Sequence, residues 1–201
     1  MERKTGMAAS IITLFGVICF AVSMLVGIDN MSYMGSIIIA LGFVIMMCSF
    51  NTFGKKHSLT AGHVAIAFGA MYAVLVILVY FTQLTTIRNE VLSADAIKVL
   101  DYQNFGLFFN YDLLAYCFMA IATFFAGLTI QIKDRGDKWL KALLMVHGIF
   151  ALSCFIMPIL GVFSGGGEGS DLIGILVLEF WCVYFIPVCI LAYRYFKRFD
   201  F

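Results

Sequence analysis

Charge is almost confined to the two ends of this chain and to five polar gaps between six apolar stretches, Ala8–Ile28, Ser32–Phe50, Thr60–Gln83, Tyr111–Ile132, Leu140–Phe163 and Leu172–Tyr193. Each stretch has 19–24 residues. That is the length an α-helix, rising about 1.5 Å per residue, needs to cross a hydrocarbon layer about 30 Å thick. The pattern predicts an all-α integral membrane protein with six transmembrane helices. A charged fraction of 12% and a hydrophobic fraction of 63% exclude a water-soluble fold, for which about a quarter of residues would be charged. Six spans in 201 residues leave no room for a separate soluble unit, so residues 1–201 read as one membrane domain.

The distribution of positive charge sets the expected orientation. Arg3 and Lys4, Lys55 and Lys56, the group Lys133, Arg135, Lys138 and Lys141, and finally Arg194, Lys197 and Arg198 all fall on one side if six helices alternate. Only Arg88 and Lys98 fall on the other. Lys and Arg concentrate in cytoplasmic loops, so both termini are expected inside. The expected location is a cell membrane, with the bacterial cytoplasmic membrane preferred. Glu2–Lys4 resembles the charged start of a signal peptide, but about 20 apolar residues follow and no A-x-A-like site comes after them, so span one is expected to be retained. Asn30-Met31-Ser32 fits the glycosylation pattern but lies almost against the bilayer. All six cysteines (Cys19, Cys48, Cys117, Cys154, Cys182, Cys189) lie within spans and read as small apolar packing residues.

The outer gap Asp29–Met31 forces spans one and two into a tight hairpin. The longest non-spanning stretch is Leu84–Asn110. There Leu92, Ala96, Val99 and Leu100 follow an i, i+4, i+7, i+8 pattern, which predicts a short amphipathic interfacial helix between spans three and four. Phe105, Leu107, Phe108 and Phe109 are expected to dip into the interface before span four. The last outer loop, Ser164–Asp171, is glycine-rich but carries Glu168 and Asp171 instead of the Lys-Ser/Thr of a phosphate loop, so it reads as a flexible connector.

Glu179 is the residue that stands out. It lies about 12 Å below the outer boundary of span six, a depth at which a carboxyl must be paired, protonated or hydrated and which by default marks a functional site. The alternative is a packing role through hydrogen bonds to a neighbouring helix. Asp112, Tyr116, Thr123 and Gly127 share one stripe of span four. Tyr80 and Gln83 at the outer end of span three, and Trp181 in span six, are placed to meet that stripe. Glu179, Asp112, Tyr116, Tyr80, Gln83 and Trp181 thus form a candidate ligand- or ion-binding set in an outward-opening polar and aromatic cavity. Two carboxylates and no matching cation favour a proton, a cation or an amine-bearing ligand. An ordinary interfacial aromatic belt and an Asp N-cap are the structural alternatives.

His147, in the cytoplasmic half of span five, reads as a packing or proton-relay residue. Its depth differs from that of His63, and no metal-ligand cluster accompanies the pair. Ala151, Cys154, Pro158 and Gly161 continue its stripe as a small-residue packing face, as do Thr13, Gly16, Ser23 and Gly27 in span one. Pro158 and Pro187 are the only prolines; both are expected to kink their helices and to serve as hinges.

No Ser/His/Asp constellation, H-E-x-x-H or Walker-type loop is present, no cofactor is implied, and nothing points to nucleic acid. Three function classes remain. One is a binder or transporter of a small, cationic or proton-coupled ligand. The second is a non-catalytic accessory subunit acting by helix–helix contact with a membrane partner or in an oligomer. The third is an intramembrane lipid-modifying enzyme using Glu179 or Asp112 as acid or base, with membrane lipid as its substrate. In size and topology alone the chain resembles the substrate-binding subunits of energy-coupling-factor vitamin transporters. That resemblance implies a separate energising complex docked on the cytoplasmic side.

Overall fold

A computed structural model describes residues 1–88, 92–163 and 170–199, with the side chains of residues 56 and 170–173 outside the description. Among the described residues all regular structure is helical, and six segments are long and apolar enough to cross a membrane. Span one is α1 (Glu2–Leu25), span two α2 (Asp29–Thr52) and span three α3 (Leu59–Thr82), which runs on through a π-turn to Ile87. The short α4 (Ala94–Leu100) follows, then span four, α5 (Leu107–Thr129). Span five is broken into α6 (Arg135–His147) and α7 (Phe150–Ile159), and span six is α8 (Ser170–Lys197).

Each span packs on its neighbour in sequence, and α8 returns to α1, so the six form a closed ring. Gly6 of α1 lies against Phe196 of α8, which puts both termini at one end, the terminal end. The tightest joint is the α1–α2 hairpin. A Cβ on Gly16 would sit 2.9 Å from the Ile39 nitrogen, and one on Gly35 would sit 3.0 Å from the Phe20 nitrogen. Backbone meets backbone there, the geometry that small residues permit in apolar surroundings where dispersion holds helices together. Of the small-residue face expected on span one, Gly16 lies in this joint and Thr13 and Ser23 are buried, whereas Gly27 falls beyond the end of α1 at φ 70° with open space around it.

Several element bounds differ from the sequence expectation, for local reasons. α1 begins at Glu2, because charged residues continue a helix beyond the apolar core without difficulty. Span four begins at Leu107: Phe105 turns the chain in the left-handed region (φ 52°) and Gly106 precedes the first helical turn. Phe108 and Phe109 therefore belong to α5 and are buried instead of dipping outward. Span five ends at Ile159 because Gly161 adopts φ 65°, and the Val162 N–H reaches back to the Met157 carbonyl in a Schellman-like stop.

The break in span five falls at Gly148, ten residues before Pro158. There Gly148 and Ile149 donate to carbonyls only three residues back, tightening the turn. Pro158 sits one residue before the end of α7, and Pro187 lies within a continuous α8. Among the described residues, closure of the ring between spans five and six runs through α6, and α7 has no comparable packing on α8. α4 forms where the amphipathic pattern predicts it, capped by the Ser93 hydroxyl, which accepts from the Ala96 N–H at 3.3 Å. Leu92, Ala96 and Leu100 are half-buried on the bundle, while Val99 is exposed. The glycine-rich 164–169 stretch lies outside the described residues.

Candidate functional site

The middle of the ring is filled by aromatic side chains from five spans. Phe43 packs on Tyr72 at 5.2 Å between ring centroids, Tyr72 on Tyr116 at 5.9 Å, Tyr116 on Trp181 at 5.5 Å and Trp181 on Phe185 at 5.0 Å. Phe185 closes the circuit on Phe43 at 6.3 Å and on His147 at 5.4 Å. These spacings lie within the 4.5–7 Å range of touching aromatic pairs, so the cluster forms a packed aromatic plug.

His147 is held in that plug by three partners in series. The Trp181 indole Nε1–H donates to His147 Nε2 at 2.9 Å, and His147 Nδ1 lies 2.8 Å from the Thr123 hydroxyl. Thr123 in turn donates to the Ala120 carbonyl at 2.9 Å. Because Nε2 accepts and the Thr123 proton is committed to Ala120, the pattern assigns the ring hydrogen to Nδ1. Close approach of two helices makes this reach possible: a Cβ on Gly127 of α5 would lie 2.8 Å from Met145 Cγ, and one on Gly148 would lie 2.9 Å from Phe124 Cβ. Glycines on both helices thus flank the Thr123–His147 contact.

Above the plug, toward the end opposite the termini, α3 and α5 run antiparallel with two polar stripes facing each other. Tyr72 and Tyr80 are two turns apart on α3; Asp112 and Tyr116 are one turn apart on α5. The Tyr80 hydroxyl donates to Asp112 Oδ2 at 3.2 Å, while the Tyr72 and Tyr116 rings meet as described. Asp112 is only 2% exposed and has no ion pair among the described residues. Its Oδ1 has no hydrogen-bond partner among them, nor do the Tyr72 and Tyr116 hydroxyls, although all three atoms are buried. Asp112 is the sixth residue of α5, too deep to act as its N-cap, so the capping alternative raised by the sequence falls away.

The segment from Ala94 to Asn104 roofs this seam. Gln83, buried at the end of α3, clasps it on two sides: Nε2 donates to the Leu100 carbonyl at 2.8 Å, and Oε1 accepts from the Tyr102 N–H at 3.2 Å. Tyr102 then sets its ring tilted 5.7 Å from Tyr80 and edge-on 6.4 Å from Tyr33, which itself lies 5.4 Å from Tyr80. At the rim, Gln103 Nε2 donates to Asp29 Oδ2 at 2.9 Å, tying the roof to the α1–α2 turn. Burial, followed by the nearby Asp112 charge, pushes the Tyr102 phenol up. In this conformation the seam is shut: Tyr80, Asp112, Tyr116 and Trp181 are each less than a tenth exposed.

Of the residues singled out in the sequence, Asp112, Tyr80, Tyr116 and Trp181 converge, and Gln83 joins them as the roof's clasp. His147 is attached through Trp181. Glu179 is half-buried on the flank of α8, between the inner residues Trp181 and Cys182 and the outward Leu176, Phe180 and Val183. Its Oε1 is enclosed without a hydrogen-bond partner among the described residues, and no described contact joins it to Asp112. His63 is exposed. Sequence reasoning did not select Tyr72, Tyr33 or Tyr102. Tyr72 lies two turns before Tyr80 on one face, a signal the sequence carried. Tyr102 lies in a connector, where no periodicity marks it. Among the described residues no three His, Cys, Asp or Glu side chains group as a metal site, and the six cysteines are free thiols. No known protein family, curated protein or solved structure matches this chain.

The terminal end is sewn together differently. Arg198 pairs with Asp137, donates to the Gln131 carbonyl at 2.7 Å and lies over the Tyr195 ring at 4.4 Å. Gln131 Nε2 and the Tyr195 hydroxyl both donate to the Phe53 carbonyl, at 3.1 and 3.0 Å. These contacts join the loops between spans two and three and between spans four and five to the end of α8.

Proposed function

We propose that this chain binds a small cation-bearing or proton-coupled ligand at Asp112, from the roofed side, and passes it across the membrane. In this reading both termini are cytoplasmic, the roof faces outward and α4 rests at the outer interface. One observation carries the reading: a buried carboxyl without a counter-ion, beside enclosed hydroxyls without partners. Leaving such groups unmatched is costly in apolar surroundings, and ionisable groups within spans are by default functional. The Gln83 clasp supports alternating exposure, because a shut site has to open for a ligand to enter. Glu179 has a secondary place in this reading, as an ionisable group on the α8 flank.

The accessory-subunit reading has one observation of its own. α7 packs on α5 but leaves Leu152, Phe155 and Ile159, with Leu160 just after it, exposed, a face that a partner helix or lipid would cover.

The test is a thermal-stability screen of the detergent-purified protein against cations, amines and vitamins across pH. Asp112→Asn and Glu179→Gln are run beside the wild type, followed by uptake into proteoliposomes. Stabilisation by a ligand that disappears in Asp112→Asn supports the proposal. No ligand response, together with a stoichiometric membrane protein that co-purifies, refutes it in favour of the accessory role.

A further inference from the structure

Resting on the Asp112 reading, we propose that the occupant of the site is a small monovalent inorganic cation, held between Asp112 Oδ1 and the Tyr72 and Tyr116 hydroxyls. Three features of the seam select this class. The first is chemistry: the unpartnered atoms are all oxygens, one from a carboxyl and two from phenols, and hard oxygen donors suit hard cations. They lie on the two facing stripes: Asp112 and Tyr116 are one turn apart on α5, the Tyr72 ring meets that of Tyr116 at 5.9 Å, and Tyr80 bonds Asp112 one level above.

The second is charge. A single carboxylate balances a single positive charge. A divalent ion would leave a net charge buried among aromatic rings, and its preferred six or more oxygen ligands would require acidic residues that are not grouped here among the described residues.

The third is size. An organic amine would be recognised between aromatic faces, yet in the closed seam Tyr33, Tyr80 and Tyr102 meet one another tilted or edge-on at 5.4–6.4 Å. Rings at that separation already touch, so the closed seam holds no gap between them for an alkylammonium group. The floor below Tyr116 is equally filled by Trp181 and Phe185. What fits is an ion that sheds its water and takes oxygen ligands in place of it.

Trp181, in ring contact with Tyr116, is a built-in reporter. In a Trp139→Phe background it is the sole tryptophan, and its emission is followed while LiCl, NaCl, KCl, MgCl₂, methylammonium chloride or tetramethylammonium chloride replaces choline chloride at constant ionic strength. Thermal stability is read in parallel. The expected result is a saturable change with one or more alkali cations, weakened by lowering the pH and abolished in Asp112→Asn. Tyr116→Phe, which keeps the ring packing and removes only the hydroxyl, is expected to weaken the apparent affinity about tenfold, and Tyr72→Phe likewise.

An Asp112-dependent response to the organic ammonium ions equal to that for alkali cations overturns the inorganic class while leaving the cationic-ligand reading intact. A pH response with no cation selectivity overturns it in favour of a proton alone. An alkali response that persists in Asp112→Asn overturns both the inference and the site on which it rests.

Discussion

Replacing Gln83 by Leu removes both hydrogen bonds that hold the roof while keeping the side chain's bulk in its buried position. The donor arm reaches the Leu100 carbonyl at 2.8 Å and the acceptor arm takes the Tyr102 N–H at 3.2 Å. Each is a neutral bond of ordinary length, contributing about 1 kcal/mol net. The closed roof should therefore lose about 2 kcal/mol, which raises the population of the opened segment about 30-fold. Hydrogen–deuterium exchange of peptides covering residues 94–104 measures this directly, because exchange there follows local opening. Gln103→Leu serves as the control. It removes a bond to Asp29 at the exposed rim, where water replaces the lost partner, so exchange should rise about threefold or less. Gln83→Glu keeps the acceptor for Tyr102 and loses the donor to Leu100, and should fall between the two. If Gln83→Leu exchanges no faster than wild type in this segment, or if the Gln103 variant has the larger effect, the clasp is not what keeps the roof shut.

Three further outcomes follow from the geometry. A double-mutant cycle on Trp181→Phe and His147→Leu should give a coupling of about 1 kcal/mol, between the average of about 0.6 and the maximum of about 1.7 found for hydrogen bonds between membrane helices; a reversible detergent-unfolding titration reads it, and a coupling near zero would mean the 2.9 Å bond is not maintained. Gly35→Leu should force the α1–α2 hairpin apart, because even a Cβ there meets the Phe20 backbone at 3.0–3.2 Å; a loss of about 1–3 kcal/mol in the same titration is expected, and no loss would refute the backbone-to-backbone joint. The Tyr102 phenol is pushed up on folding, so the folded state holds its proton more tightly than the unfolded chain. The stabilisation is complete below the unfolded value of about 10 and declines as pH rises beyond it; the alkaline loss of thermal stability should be shallower in Tyr102→Phe, and an unchanged profile would refute the linkage.

How much was legible in the sequence depended on whether a signal was periodic. The six spans and the short helix α4 were read from apolar length and from the Leu92–Ala96–Val99–Leu100 spacing, because helix period and bilayer thickness are written directly into residue order, although Val99 proves exposed. Convergence of Asp112, Tyr116, Tyr80 and Trp181 was legible for the same reason, since i, i+4 stripes must face something. What escaped was set by single backbone torsions and long-range bonds. Gly161 at φ 65° ends span five early, and the tight turn at Gly148, not Pro158, divides it. The role of Gln83 could not be read at all, because its partners are backbone atoms 17 and 19 residues away in a connector. Glu179 drew attention by its depth alone, yet depth along a helix does not say which flank a side chain takes.

The aromatic plug beneath Asp112 has an electrical consequence. A layer of packed rings resists ion flow, so in the proposed reading, with the roof open to water, most of a membrane potential falls across the plug and little falls above it. An ion arriving at Asp112 from the roofed side then crosses only a small part of the field, and its binding should respond weakly to voltage. Movement past Trp181 and Phe185 carries the charge through nearly the whole drop, about 2.3 kcal/mol for each 100 mV. The voltage dependence of uptake, compared with that of binding, therefore reads on which side of these two rings the slow step lies.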